Sequence, residues 1–312
     1  MNTMVPFLQE MLALYGMVVI GYLARKKAIL NTHADHTLTQ LVLCITLPAL
    51  ILFSMDISFS KVLVLDMVIL VCLSVYILFL ACVIGRFMRK HSTLSADRES
   101  VLEGLIIFGN QGFLGYAVAY IVFNEVGIVY ATMFNVVYLI LIWTYGIYLF
   151  VRSKDTIDWK SIFINPGIMA VMGGVVIFFA PFSWPHPVSS LLESIGKMTI
   201  PLSMILLGSL LKNVTSNDIV IYLKNKLMWQ VAAVKLIIIP LLFIPVIYLF
   251  PISYPLITIA VLIAGMPSAP TISIYAKKYG GDAQFASTVV FFTTTAAFVT
   301  IPLLFFCIKL FY

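Results

Sequence analysis

The sequence predicts an all-α polytopic membrane protein of ten transmembrane helices, arranged as two inverted five-helix repeats with helices 4 and 9 broken. Three observations predict it. First, 62% of the 312 residues are hydrophobic and 10% are charged, with a mean hydropathy of +1.08; a soluble chain carries about a quarter charged residues. Second, the apolar residues gather into ten stretches of the length that crosses a bilayer, about 20 residues each. Third, the basic residues fall almost entirely on alternate connections.

The stretches are 5–24, 38–56, 62–85, 100–123, 126–151, 166–184, 188–211, 228–250, 254–276 and 285–308. The first is not a cleavable signal peptide, because its basic residues, Arg25, Lys26 and Lys27, follow it rather than precede it. The same order points the N-terminus outward. Connections 1–2, 3–4, 5–6, 7–8 and 9–10 hold fifteen of the nineteen Lys and Arg residues, against only Lys61, Lys197 and Lys309 on the other side. Basic loops stay inside, so both termini are expected outside a cell membrane. The net charge of +6 is then topological and needs no nucleic acid. Cys44, Cys72, Cys82 and Cys307 lie inside apolar stretches and read as small packing residues, with no disulfide or metal framework. No HExxH, GxSxG or phosphate-binding glycine loop occurs, so neither enzyme chemistry, metal nor cofactor is expected.

Five spans precede the most polar connection and five follow it. The expected repeats are 1–151 and 166–312, joined by 152–165. That joint reads as a short interfacial helix, with Asn165-Pro166 opening the next span. Because five is odd, the second repeat enters the membrane inverted. The halves correspond locally. Thr46-Leu47-Pro48 matches Thr199-Ile200-Pro201, and Phe108-Gly109-Asn110 matches Ala264-Gly265-Met266. Inverted repeats with broken helices at matching depths are the pattern of a secondary transporter.

The breakers define the candidate site. Span 9 carries Gly265, Met266, Pro267, Ser268, Pro270 and Thr271. Proline lacks an N–H and clashes with the carbonyl four residues back. Pro267 and Pro270 thus free the carbonyls of Ile263 and Met266, which must face protein or a cavity. Ser268 and Thr271 are at hand as partners. Span 4 carries Gly109, Asn110, Gln111, Gly112 and Gly115. Its glycines read either as a break or as a close-packing face; Asn110 and Gln111 suit a substrate contact rather than lipid. If the two breaks cross, their helix N-termini face an anion without needing a full buried cation. No carboxylate pair lies near the middle of a broken helix, which disfavours cation transport; Asp66 and Glu103 are placed toward span ends, with a charge-coupling role left open. Lys235, inside span 8, either snorkels to the interface or acts as an attractor for the anion or a partner for Asp66 or Glu103. Pro48 and Pro201 are kinks or pocket walls, with Thr46, Ser203 and Met204 nearby. Asn135 is an interhelical partner or a pocket residue.

Met266-Pro267-Ser-Ala-Pro-Thr, followed by Tyr275-Ala-Lys-Lys-Tyr-Gly-Gly-Asp282, resembles the signature of the auxin efflux carrier family. Gly109-Asn-Gln-Gly-Phe-Leu-Gly115 resembles it too, and the likeness runs along the whole chain. The chain lacks the long hydrophilic loop of the long plant PIN-FORMED carriers and is similar to a compact bacterial member. The resemblance implies a ten-helix fold like that of bile-acid and sodium/proton transporters, with helices 4 and 9 crossing. It also implies a scaffold of spans 1, 2, 6 and 7, a transport domain of spans 3–5 and 8–10, and carboxylate cargo such as auxin, malate or malonate. Span 4 here lacks the proline many members carry, so its break must rest on glycine. The expected partners are a small organic anion, the bilayer and a second copy in a homodimer. The expected function is elevator-type export of that anion. The alternatives are a sodium- or proton-coupled carboxylate symporter, hinted at by Gln111, Asn135, Thr293, Thr294 and Thr295, and a non-transporting receptor.

Overall fold

The structure is a computed structural model and describes residues 4–150, 165–180, 182–212 and 224–311. Every regular element among them is helical. Seven segments are long and apolar enough to cross a membrane, and two apolar helices are shorter, Pro166–Phe179 and Tyr254–Ala264. The chain is a multi-pass membrane protein. Its longest helix, Lys61–Lys90, shows the reason in its side chains. Val62, Leu65, Val68, Cys72, Val75, Phe79, Val83 and Phe87 are all exposed. They recur every three or four residues, so one face is apolar along its whole length. Water would not tolerate that face, and lipid does. Cys72 lies on it and Cys44 is exposed as well, so these two cysteines do not pack inside as the sequence suggested.

The chain divides into two compact units. The first takes in the described residues of Met1–Val71, Gly112–Leu139 and Asp158–Lys212. Its helices are α1 (Met4–Lys26), α2 (Thr32–Leu41), α3 (Leu47–Ser54), the start of α4 (Lys61–Lys90), most of α6 (Tyr116–Trp143), α8 (Pro166–Phe179), α9 (His186–Lys197) and α10 (Thr199–Leu211). Small residues bring α1 and α10 together. A Cβ on Gly21 would come within 2.0 Å of the Ile205 carbonyl oxygen, and one on Gly208 within 1.9 Å of that of Val18. The turn expected between spans 4 and 5 is present inside α6, where Phe123 and Asn124 leave helical geometry and Asn124 takes φ 52°. Asn165 caps α8 through Gly167 and Pro166 takes its first position, as expected. The interfacial helix expected over 152–165 falls almost wholly outside the described residues.

The second unit takes in the described residues of Cys72–Gln111, Ile140–Ile157 and Asn213–Tyr312. It holds the rest of α4, α5 (Ala96–Ile107), α7 (Tyr145–Tyr148), α11 (Lys226–Ala233), α12 (Ile239–Leu241), α13 (Ile244–Leu249), α14 (Tyr254–Ala264), α15 (Pro270–Tyr279) and α16 (Ala283–Phe311). The segment Tyr275 to Asp282 is a helix–turn–helix joint. Gly280 ends α15 at φ 87°, and Gly280 and Gly281 both donate to the Ala276 carbonyl. Asp282 then caps α16 by accepting from the Phe285 N–H at 2.8 Å, and its other oxygen accepts from Arg98 at 2.7 Å.

Candidate functional site

In the second unit two helices stop short and their ends meet. α5 ends at Ile107, and the next helical run opens at Gln111; α14 ends at Ala264, and α15 opens at Pro270. The residues between them pair as a short antiparallel bridge. Asn110 donates its backbone N–H to the Pro267 carbonyl at 2.6 Å, Ala269 donates to the Phe108 carbonyl at 2.9 Å, and Gly109 lies opposite Ser268. Extended backbone inside a membrane protein survives only with its polar groups satisfied. Here each broken helix satisfies the other.

The neighbouring carbonyls are met one by one. The Ser268 hydroxyl donates to the Leu105 carbonyl at 2.8 Å, and the Ser268 N–H donates to the Thr293 hydroxyl at 3.2 Å. The Thr293 hydroxyl in turn donates to the Val289 carbonyl at 2.8 Å. The Ile263 carbonyl, freed by Pro267, accepts from the Met266 N–H at 3.2 Å, which closes the end of α14 on itself. The Ile107 carbonyl, at the last residue of α5, accepts from the Lys235 ammonium at 3.2 Å.

Lys235 therefore does not snorkel: it is 2% exposed. Its partner is a helix-end carbonyl rather than Glu103 or Asp66. A π-turn over Val234–Ile238 carries it, closed by the Ile239 N–H on the Val234 carbonyl, with Pro240 directly beyond. An equivalent π-turn over Val42–Thr46 precedes Pro48 in the first unit. In both places proline removes an N–H and the preceding turn widens to compensate. The sequence reading passed over Pro240, although a proline five residues beyond a lone intramembrane lysine was the available signal.

Two buried polar side chains at the bridge have atoms left over. The Asn110 amide nitrogen and the Gln111 amide oxygen make no hydrogen bond among the described residues, at 3% and 2% exposure of their residues. Pro270 opens α15 behind Ala269, which has no side-chain group to cap it. The first turn of α15 so presents a helix N-terminus uncapped beside an unpaired amide. Met266 is fully buried and Thr271 half-buried at the same break. A side chain at Gly112 would meet open space, so close packing is not what requires glycine there; Gly115 closes the same π-turn, Gln111–Gly115.

The remaining candidates belong to the first unit. Thr46 ends the π-turn before Pro48, buried, with its hydroxyl unpaired among the described residues. Pro201 lies in the first turn of α10, one residue before Leu202; Ser203 donates to the Ile200 carbonyl at 2.9 Å, and Met204 is buried. Asn135 is buried in α6 with its amide oxygen unpaired among the described residues. Asp66 accepts from the Tyr130 hydroxyl at 2.8 Å. Glu103 lies in the second unit, buried within α5, one turn before Ile107. Arg89 at 3.0 Å and the Tyr145 hydroxyl at 2.5 Å hold it, so it is a paired carboxylate. Beside it opens a cavity of about 600 Å³ whose lining includes Arg86, Arg89, Lys90 and Tyr148.

The chain matches the family described as membrane transport protein in two segments, residues 6–158 and 152–305. It is 26% identical over 303 residues to an uncharacterized transporter of Methanocaldococcus jannaschii, covering 92% of this chain and 94% of the relative. It is 25% identical over 304 residues to an uncharacterized transporter of Methanothermobacter thermautotrophicus, covering 95% and 96%.

Proposed function

Because the chain belongs to the membrane transport protein family, that of the auxin efflux carriers, and is a transporter rather than an enzyme, we propose that it exports a small organic anion bound at the crossing of its two broken helices. The cargo class is an auxin-like or malate- or malonate-like carboxylate. The observation that carries this reading is the unpaired Asn110 amide nitrogen beside the uncapped start of α15. A buried donor without a partner costs about 1–3 kcal/mol, and a carboxylate would supply the missing acceptor. Gln111, Met266, Pro267, Ser268, Pro270 and Thr271 complete the pocket.

The carrier has ten spans in two inverted repeats, with both termini outside, which the one-sided basic connections support. Spans 3–5 and 8–10 carry the anion past a scaffold of spans 1, 2, 6 and 7. The basic cavity beside Glu103 is its cytoplasmic vestibule, where Arg86 and Lys90 raise the local anion concentration. Each monoanion leaving a cell that is negative inside gains about 2.3 kcal/mol per 100 mV, so export runs on the potential alone.

Proteoliposomes with an imposed potassium–valinomycin potential test the reading. Anion flux is expected to accelerate toward the positive side at fixed pH without sodium. Flux that ignores the potential and follows a sodium or proton gradient would replace the uniport with a symporter, and binding without flux would make the protein a receptor.

A further inference from the structure

Three charged residues are buried among the described residues: Asp35, Glu103 and Lys235. Both carboxylates have arginine partners, Arg25 at 3.4 Å from Asp35 and Arg89 at 3.0 Å from Glu103. Lys235 has none; among the described residues it meets only a carbonyl. A lone buried ammonium is costly, and a single carbonyl hydrogen bond does not offset it.

The one helix end that Lys235 is bonded to, the C-terminus of α5, favours a cation there, and no described carboxylate pairs with it. Its position is equally informative. A Cβ on Gly109 would lie 3.3 Å from the Lys235 ammonium, so the lysine occupies the space that a side chain there would need. Lys235 thus packs against the bridge at Gly109, next to Asn110 in the chain.

We propose that Lys235 is the fixed counter-charge of the transported anion, and that the cargo carries one negative charge. This rests on the crossing being the anion site. Asn110 contacts the anion, and Lys235 balances its charge from beside Gly109. A monoanion leaves the loaded crossing neutral in the membrane interior. A dianion leaves it with an unpaired negative charge, so a dicarboxylate such as malonate is admitted only in singly charged form. At an effective dielectric of about 20, two unit charges several ångströms apart interact strongly enough to discriminate by tenfold or more.

The test compares acids that differ in charge and hardly in shape: malonate against monomethyl malonate, and succinate against monomethyl succinate. Binding is measured by titration calorimetry on the purified full chain, wild type, Lys235→Arg, Lys235→Met and Asn110→Ala. The wild type and Lys235→Arg are expected to favour the monoesters by about tenfold or more, and Lys235→Met to lose most of that preference. A lysine needed only for architecture would weaken both acids of a pair alike. The wild-type ratio needs no variant, so it decides even if Lys235→Met does not fold. Diacids bound as tightly as monoesters by the wild type, with binding still lost in Asn110→Ala, would overturn the counter-charge and leave the crossing site standing. Binding of none of the four acids, or binding indifferent to Asn110→Ala, would overturn the site and the counter-charge with it.

Discussion

The break before Gln111 and the break before Pro270 do the same geometric work with different chemistry. The second spans five residues, Gly265 to Ala269, and contains Pro267 with Pro270 at its far edge. It largely satisfies itself: Gly265 donates to the Val261 carbonyl and Met266 to that of Ile263. The first spans three residues, Phe108 to Asn110, without proline. Two carbonyls near it are met from within, that of Gly104 by the Phe108 N–H and that of Gly109 by the Gln111 N–H. Those of Leu105, Ile107 and Phe108 are met by Ser268, Lys235 and Ala269. A proline break is coded locally, because the missing N–H forbids the helix whatever surrounds it. A glycine break is permitted rather than imposed, and it persists because partners from distant helices reward it.

That difference can be probed by substitution. The largest effect is expected from Asn110→Ala, and on binding rather than folding. Losing a charge-assisted hydrogen bond should weaken the anion by about 1.5–3 kcal/mol, tenfold or more. The apparent melting temperature without ligand should hold or rise, since the amide nitrogen removed has no partner in the folded chain. A fall in melting temperature with unchanged affinity would place Asn110 in the architecture instead.

Ser268→Ala comes next and tests whether the glycine break depends on the proline break. It strands the buried Leu105 carbonyl, at a cost of about 1–3 kcal/mol. Thermal unfolding in detergent should drop by several degrees. No change would mean the first break holds by itself.

Smaller effects come from adding a methyl group to each break. In Gly265→Ala the new Cβ would lie 2.5 Å from the Leu304 side-chain tip. The cost of moving Leu304 is on the order of 1 kcal/mol, read as melting temperature. In Gly109→Ala the new Cβ meets the Lys235 ammonium at 3.3 Å and the Met266 carbonyl oxygen at 3.4 Å. Its stability cost should be lower, with a measurable loss of anion affinity as the lysine is displaced. The reverse ranking would show that the lysine is held rigidly. Pro270→Ala is expected to do least, under about 1 kcal/mol in unfolding. Pro270 occupies the first helical position, where the N–H it lacks would be unsatisfied anyway.

The sequence was readable where the cause is local. Asn165 and Pro166 start α8 because a capping side chain and a preset φ act within one turn. The paired prolines locate the break before Pro270 for the same reason. The burial of Glu103 was not legible because its position in the apolar stretch does not reveal Arg89 and Tyr145, which allow a carboxylate to be buried. Cys44 and Cys72 were misread because composition does not say which face of an apolar helix meets lipid.

Composition and charge by themselves determined that this chain lies in the membrane and which connections are basic, since hydrocarbon excludes charge and basic loops stay inside. The paired prolines also determined the break before Pro270, because proline acts on its own backbone, whereas the glycines of span 4 only permitted one. Tertiary structure decided that the breaks pair as a bridge, that Ser268 serves Leu105 across 163 residues, and that Lys235 reaches Ile107 across 128. A freed carbonyl accepts from any donor of suitable reach, so its local sequence cannot name the partner; only packing the helices together brings one donor, and not another, within 3.2 Å.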